Sequence, residues 1–95
     1  MIELKPGRPK FALGNVYATP GALEALTSSE IASCLQRHHR GDWGELDAED
    51  IEANDHSLID GTRLLSAYHN ATGTKFWIIT EADRSATTVL LPSEY

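Results

Sequence analysis

The 95-residue sequence has a single cysteine, so Cys34 can form no internal disulfide and has no second thiol for a paired-cysteine metal clip. No apolar run approaches the ~20 residues that span a bilayer. The first ten residues, MIELKPGRPK, hold no apolar block before a cleavage site, so nothing marks the chain for export. These absences predict a cytoplasmic protein. Positive charge is also scarce: Lys and Arg number 8 against 14 Asp and Glu, a formal net charge of −6. Direct DNA binding is therefore not expected, because it needs a surplus of cations facing the phosphates. No cofactor and no metal are expected. His38 and His39 are adjacent, which on a helix turns them about 100° apart, whereas the useful ligand spacing is i, i+4.

What is present is unevenly spread. Between Asp42 and Asp60 stand eight carboxylates (Asp42, Glu45, Asp47, Glu49, Asp50, Glu52, Asp55 and Asp60) and no Lys or Arg. Lys5, Arg8 and Lys10, by contrast, form a short basic tail that Pro6, Gly7 and Pro9 keep out of helix or central strand. A chain of this length builds one core, so residues 1–9 are expected to be a flexible tail and residues 10–95 a single domain.

Element signals follow in order. Lys10 to Ala18 predicts a first strand with Phe11, Leu13 and Tyr17 on one face and Gly14 as a bulge. Thr19-Pro20 is a helix start, an N-cap followed by proline at the first helical position, with Leu23 and Leu26 as the apolar stripe. Thr27 and Glu30 form a capping box opening a second helix that ends at Gly41. Ile31, Cys34, Leu35 and His38 share the core-facing stripe of that helix. Asp47 caps a third helix that Gly61 ends, and Asn54 and Asp55 leave one of its faces half polar where a core face should be apolar. Arg63 to Asn70, Lys75 to Glu81 and Thr87 to Leu91 then predict a meander. The fold class is α+β, in the order β-α-α-α-β-β-β, with helices packed on one face of an antiparallel sheet.

Three places can carry function. The stretch RHHRGDWGEL, Arg37 to Leu46, reads as a helix C-terminus closed by cations, and its RGD triplet has no export signal to give it meaning. Its Trp43, between the two glycines Gly41 and Gly44 of a polar loop, is either a lid over the core or an exposed aromatic anchor for a partner. The third helix is the second place: with Trp43, the residues Asp47, Glu49, Asp50, Glu52 and Asp55 make a candidate binding surface for a basic partner. The third is a sheet cluster of Arg63, Glu81, Arg84 and Thr87, with Asp83 beside it. An arginine and a carboxylate joined by a histidine are suited to metal-independent ribonuclease chemistry, and a symmetric turn about Thr72 sets Arg63 opposite Glu81. His69, at the far strand end, is ~20 Å from Arg63, and His56 lies on the third helix. A plain cross-strand ion pair and a polar turn are the structural alternatives there.

Taken together, TPGALEAL (Thr19 to Leu26), the H-x-x-G-D-W-G spacing from His38 to Gly44, and WIITEADRSATTVLLPSEY (Trp77 to Tyr95) resemble a family of small bacterial proteins encoded on plasmids and integrated mobile elements. The resemblance spans nearly the whole chain after Gly14. It implies an accessory role in mobile-element biology and brings no catalytic residues. The function expected is a small acidic protein-binding module that imitates a phosphate backbone and inhibits a basic, nucleic-acid-handling host protein. The alternatives are the toxin-like ribonuclease above and a structural protein that homodimerises through the open side of its sheet.

Overall fold

The computed structural model describes residues 9–95, so the expected tail, with Lys5 and Arg8, lies outside the described residues apart from Pro9. The elements run β1 (Asn15–Ala18), α1 (Pro20–Ala25), α2 (Ser28–His39), α3 (Ala48–Asp60), β2 (Leu64–His69), β3 (Lys75–Thr80) and β4 (Ala86–Leu90), closing with a 3-10 turn, Pro92–Glu94. This is the expected α+β order. Strands β2, β3 and β4 form the meander, and β1 adds to the outer edge of β4 as a parallel strand, giving the order β1-β4-β3-β2.

The helix signals hold because each rests on local hydrogen bonds. Thr19 accepts from the Ala22 amide, Thr27 and Glu30 complete their box at 3.1 and 2.8 Å, and Asp47 accepts from the Asp50 amide. Gly61 ends α3 in the left-handed conformation. One stripe shifts: in the six-residue α1 the core-facing pair is Ala22 and Leu26, while Leu23 is 63% exposed. The C-terminal turn braces this helix, since the Glu94 carboxylate accepts from the Thr19 hydroxyl and the Gly21 amide.

The first strand is shorter than its pattern. Gly14 takes φ +65°, and a Cβ there would stand 2.3 Å from the Ser85 carbonyl oxygen, so the chain turns where it crosses the β3–β4 connection. Residues before that point leave the sheet. The Lys10 amide donates to the His39 carbonyl, and Phe11 packs on His38, His39 and Trp43, whereas Tyr17 is 54% exposed. Phe11, Leu13 and Tyr17 therefore do not share a strand face.

The inner sheet face presents Leu64, Ser66 and Tyr68, then Phe76, Ile78 and Thr80, then Thr87 and Val89, all buried. Tyr68, Phe76, Ile78 and Val89 pack with Ala22 and Leu26, flanked by Ile31, Cys34 and Leu35 of α2. Each such large apolar side chain contributes about 1.5–3 kcal/mol by leaving water. The other end of the same face is polar and lies under His38.

Edge strand β2 is covered rather than left open, which removes a template for unwanted pairing. The Ala67 amide donates to the Trp43 carbonyl and its own carbonyl accepts from the Glu45 amide, a bridge centred on Gly44. Gly44 has φ +77°, and a Cβ on it would lie 2.0 Å from the Ala67 carbonyl oxygen. Gly44→Ala is expected to lower stability by at least about 2 kcal/mol, because backbone strain and a backbone clash add. Gly73→Ala is the comparison: φ is +85° but no atom lies within 4 Å, so only the strain of about 1–3 kcal/mol applies. Equal denaturation midpoints for the two variants would refute the role given to the Gly44 crossing.

Candidate functional site

The acidic segment is the most unusual feature of the chain, and most of its charges already have partners. Asp42 binds Arg37 through two hydrogen bonds, 2.7 and 3.3 Å, which holds its carboxyl below the usual range. Glu45 meets His69, Asp47 caps α3, Asp60 pairs with His56 at 3.1 Å, and Asp55 accepts the Trp43 indole N–H at 2.9 Å. Glu49, Asp50 and Glu52 remain, exposed and without a cationic partner among the described residues.

The half-polar face of α3 has a physical cause. Asn54, 6% exposed, lies over the outer edge of β2, where its amide N–H donates to the Leu65 carbonyl and its amide oxygen accepts the Leu65 N–H. An apolar residue there would leave two strand groups unpaired at the edge, at about 1–3 kcal/mol each. Asp55 is fixed by the indole. The two polar residues thus dock the helix, one to strand backbone and one to Trp43.

Trp43 is the lid and not the exposed anchor. It is 3% exposed, its ring stacked on Phe11 at 6.0 Å and edge-on to His38 at 5.7 Å. As a binding residue it is withdrawn from solvent. Of the six candidate binding residues, Trp43, Asp47 and Asp55 hold the helix in place, and Glu49, Asp50 and Glu52 are presented to solvent.

The sheet cluster is not assembled. The register that pairs Leu64 with Thr80 is the one the turn symmetry predicts, and it ends one residue short of Arg63 and Glu81. Arg63 nevertheless donates to the Tyr95 hydroxyl and lies over its ring, 5.3 Å from the centroid. Arg84, at φ +62°, donates to the carbonyls of Ser57, Thr62 and Glu81, closing the C-terminal end of α3. Asp83 accepts the Ser85 amide as a turn residue. Thr87 faces the other way from the expected cluster: β3 and β4 pair Ile78 with Val89 and Thr80 with Thr87, so Thr88 and Leu90 share a face with Trp77 and Ile79. Neither His56, paired with Asp60, nor His69, beside Glu45, is among the partners of Arg63 or Arg84.

A buried polar chain that the sequence reading did not assemble runs under α2. Thr87 donates to the Leu13 carbonyl at 2.7 Å, which can only accept. Thr80 must then donate to Thr87 at 2.8 Å, and His38 Nε2–H to Thr80 at 2.8 Å, leaving Nδ1 to accept from Ser66 at 2.5 Å. His38 is thereby fixed as the neutral Nε2–H tautomer. Burial, with the nearby charges of His39 and Arg84, lowers its pKa to about 3. Ser66 and His38 are both fully buried, so this serine–histidine pair lacks the access a nucleophile needs. The signal was three small hydroxyl residues at inward strand positions facing a core-stripe histidine.

No family model matches the chain, and comparison with curated proteins and with solved structures likewise gives no match. Among the described residues no helix is long and apolar enough to cross a membrane, and no group of three or more His, Cys, Asp or Glu side chains is placed to hold a metal ion.

Proposed function

We propose that the protein is a small acidic protein-binding module, an accessory protein of a bacterial mobile element, that engages a basic nucleic-acid-handling host protein by imitating a phosphate backbone. The observation that carries this reading is the set Glu49, Asp50 and Glu52, exposed and without a cationic partner among the described residues, on a helix pinned by Asn54 and Asp55. Their Cα positions span ~4.5 Å of helix axis, a mean axial spacing of ~2.3 Å between charges. Duplex DNA carries one per ≈ 1.7 Å. A rigid helix holds these charges in register without the ordering cost a flexible acidic tail would have on binding.

The test is capture from a bacterial lysate with tagged protein, beside the triple variant Glu49→Gln, Asp50→Asn, Glu52→Gln. A stoichiometric, basic partner should be retained at low salt, be displaced by duplex DNA, and bind the triple variant at least tenfold more weakly. Retention that neither DNA nor neutralisation reduces would refute backbone mimicry at α3.

A further inference from the structure

Beside the outward carboxylates, α3 overhangs the second face of the sheet and leaves a cleft of about 370 Å³ lined by Leu46, Asp50, Ala53, Asn54, Leu65 and Trp77. We propose that this cleft is the seat for an arginine side chain of the protein partner, with the guanidinium between the Asp50 carboxylate and the Trp77 ring.

The lining selects this occupant. Leu46, Ala53 and Leu65 offer apolar walls, which suit the methylene stem of a long cationic side chain. Asn54 is not available to a ligand through the groups it uses on strand β2, because its amide bonds both the N–H and the carbonyl of Leu65. The charged group left in the lining is Asp50, whose carboxylate has no cationic partner among the described residues. One carboxylate beside an indole is a poor metal site but a good one for a cation that is also planar, since guanidinium stacks on the ring while its N–H fork meets the carboxylate. Lysine has the charge without the plane.

The same sheet face already holds a guanidinium in this manner. Tyr95 packs edge-on against Trp77 at 5.6 Å and 71°, and Arg63 lies over the Tyr95 ring. The cleft offers a second aromatic next to this pair, with a carboxylate that has no cationic partner among the described residues. This inference rests on the proposed function and deepens it: Glu49 and Glu52 attract a basic protein, and the cleft holds one of its arginines.

The probes are the short capped peptides Gly-Arg-Gly, Gly-Lys-Gly and Gly-citrulline-Gly, titrated into the full chain and followed by amide and indole N–H resonances. Saturable shifts at the Trp77 indole and at the Asp50, Ala53 and Leu65 amides are expected with arginine. The lysine and citrulline peptides should bind at least fivefold more weakly. The Trp43 indole, bonded to Asp55, should stay still as the internal reference. Asp50→Asn keeps the side-chain shape and should abolish the shifts; Trp77→Leu should do so independently. Glu49→Gln with Glu52→Gln should leave the arginine shifts in the cleft.

Equal response to arginine and lysine, unchanged binding by Asp50→Asn, or no shift at Trp77 would each overturn the assignment. Arginine shifts confined to the cleft, together with lysate capture unchanged by Glu49→Gln with Glu52→Gln, would keep the arginine seat and remove the mimicry reading. The converse result would keep mimicry and remove the seat.

Discussion

Lowering the pH from 7 to 4 is expected to cost the fold on the order of 3 kcal/mol through His38 alone. The ring is neutral and fully buried in the folded protein, with its pKa lowered to about 3, against the ordinary 6.5 of a solvated histidine. Below pH 6.5 the unfolded chain takes up a proton that the folded chain refuses, so stability falls as pH falls, by about 1.4 kcal/mol per pH unit. The loss continues until the folded value near 3 is reached. Glu30, Asp42, Asp83 and Glu94 have pKa values held low by hydrogen bonds, so their stabilisation begins to be lost as the unfolded chain protonates through the ordinary carboxylate range of about 4 and is gone once the folded groups protonate. The window from pH 6.5 to about 5.5 therefore isolates the histidine. Urea midpoints should fall steadily through it in the native protein. In His38→Leu the midpoint should be lower at pH 7, by about 2–4 kcal/mol for the Ser66 and Thr80 hydroxyls that lose their partner, but level across the window. A level native profile would mean that His38 accepts a proton in place, and the fixed tautomer would be wrong.

What could be read from the sequence follows the range of the interactions involved. Thr19, Thr27 with Glu30, Asp47 and Gly61 each act within a few residues, so the starts of all three helices and the end of the third were legible. The β2–β3 register was legible for the same reason, since the Asn70 carboxamide organises its turn by accepting from the Thr72 and Thr74 amides. The position of Thr87 was not. Its face depends on whether the β3–β4 connection pairs like or unlike parity, and a single residue reverses the answer. Gly14 looked like a bulge because its neighbour, Ser85, is distant in the chain. Arg84 looked like a charge in a turn, while its guanidinium reaches back to carbonyls at the end of α3. In the candidate site the composition showed the acidic segment, but only the fold separates Asp47 and Asp55, which hold α3, from Glu49, Asp50 and Glu52, which it displays.

Trp43→Ala is expected to lower stability by about 3–5 kcal/mol, the range for removing a buried large aromatic, and to weaken partner binding beyond that. The indole fills the space between Phe11 and His38, and its N–H fixes Asp55 on α3. Removing it opens a cavity beside the buried histidine and frees one of the side-chain attachments of the helix. Asn54 would still hold α3 to Leu65, so the helix should persist but sample more orientations. Trp43→Phe lessens the cavity and still removes the bond to Asp55, so it should cost less than Trp43→Ala but more than the about 0.5–1.5 kcal/mol of the bond alone. Hydrogen exchange should show faster opening of the α3 amides in both variants, with the sheet amides protected in Trp43→Phe and less so in Trp43→Ala. If α3 exchange were unchanged in Trp43→Phe, the indole–Asp55 bond would not be what holds the acidic helix rigid, and the preorganisation assigned to Glu49, Asp50 and Glu52 would have to come from Asn54 and Arg84.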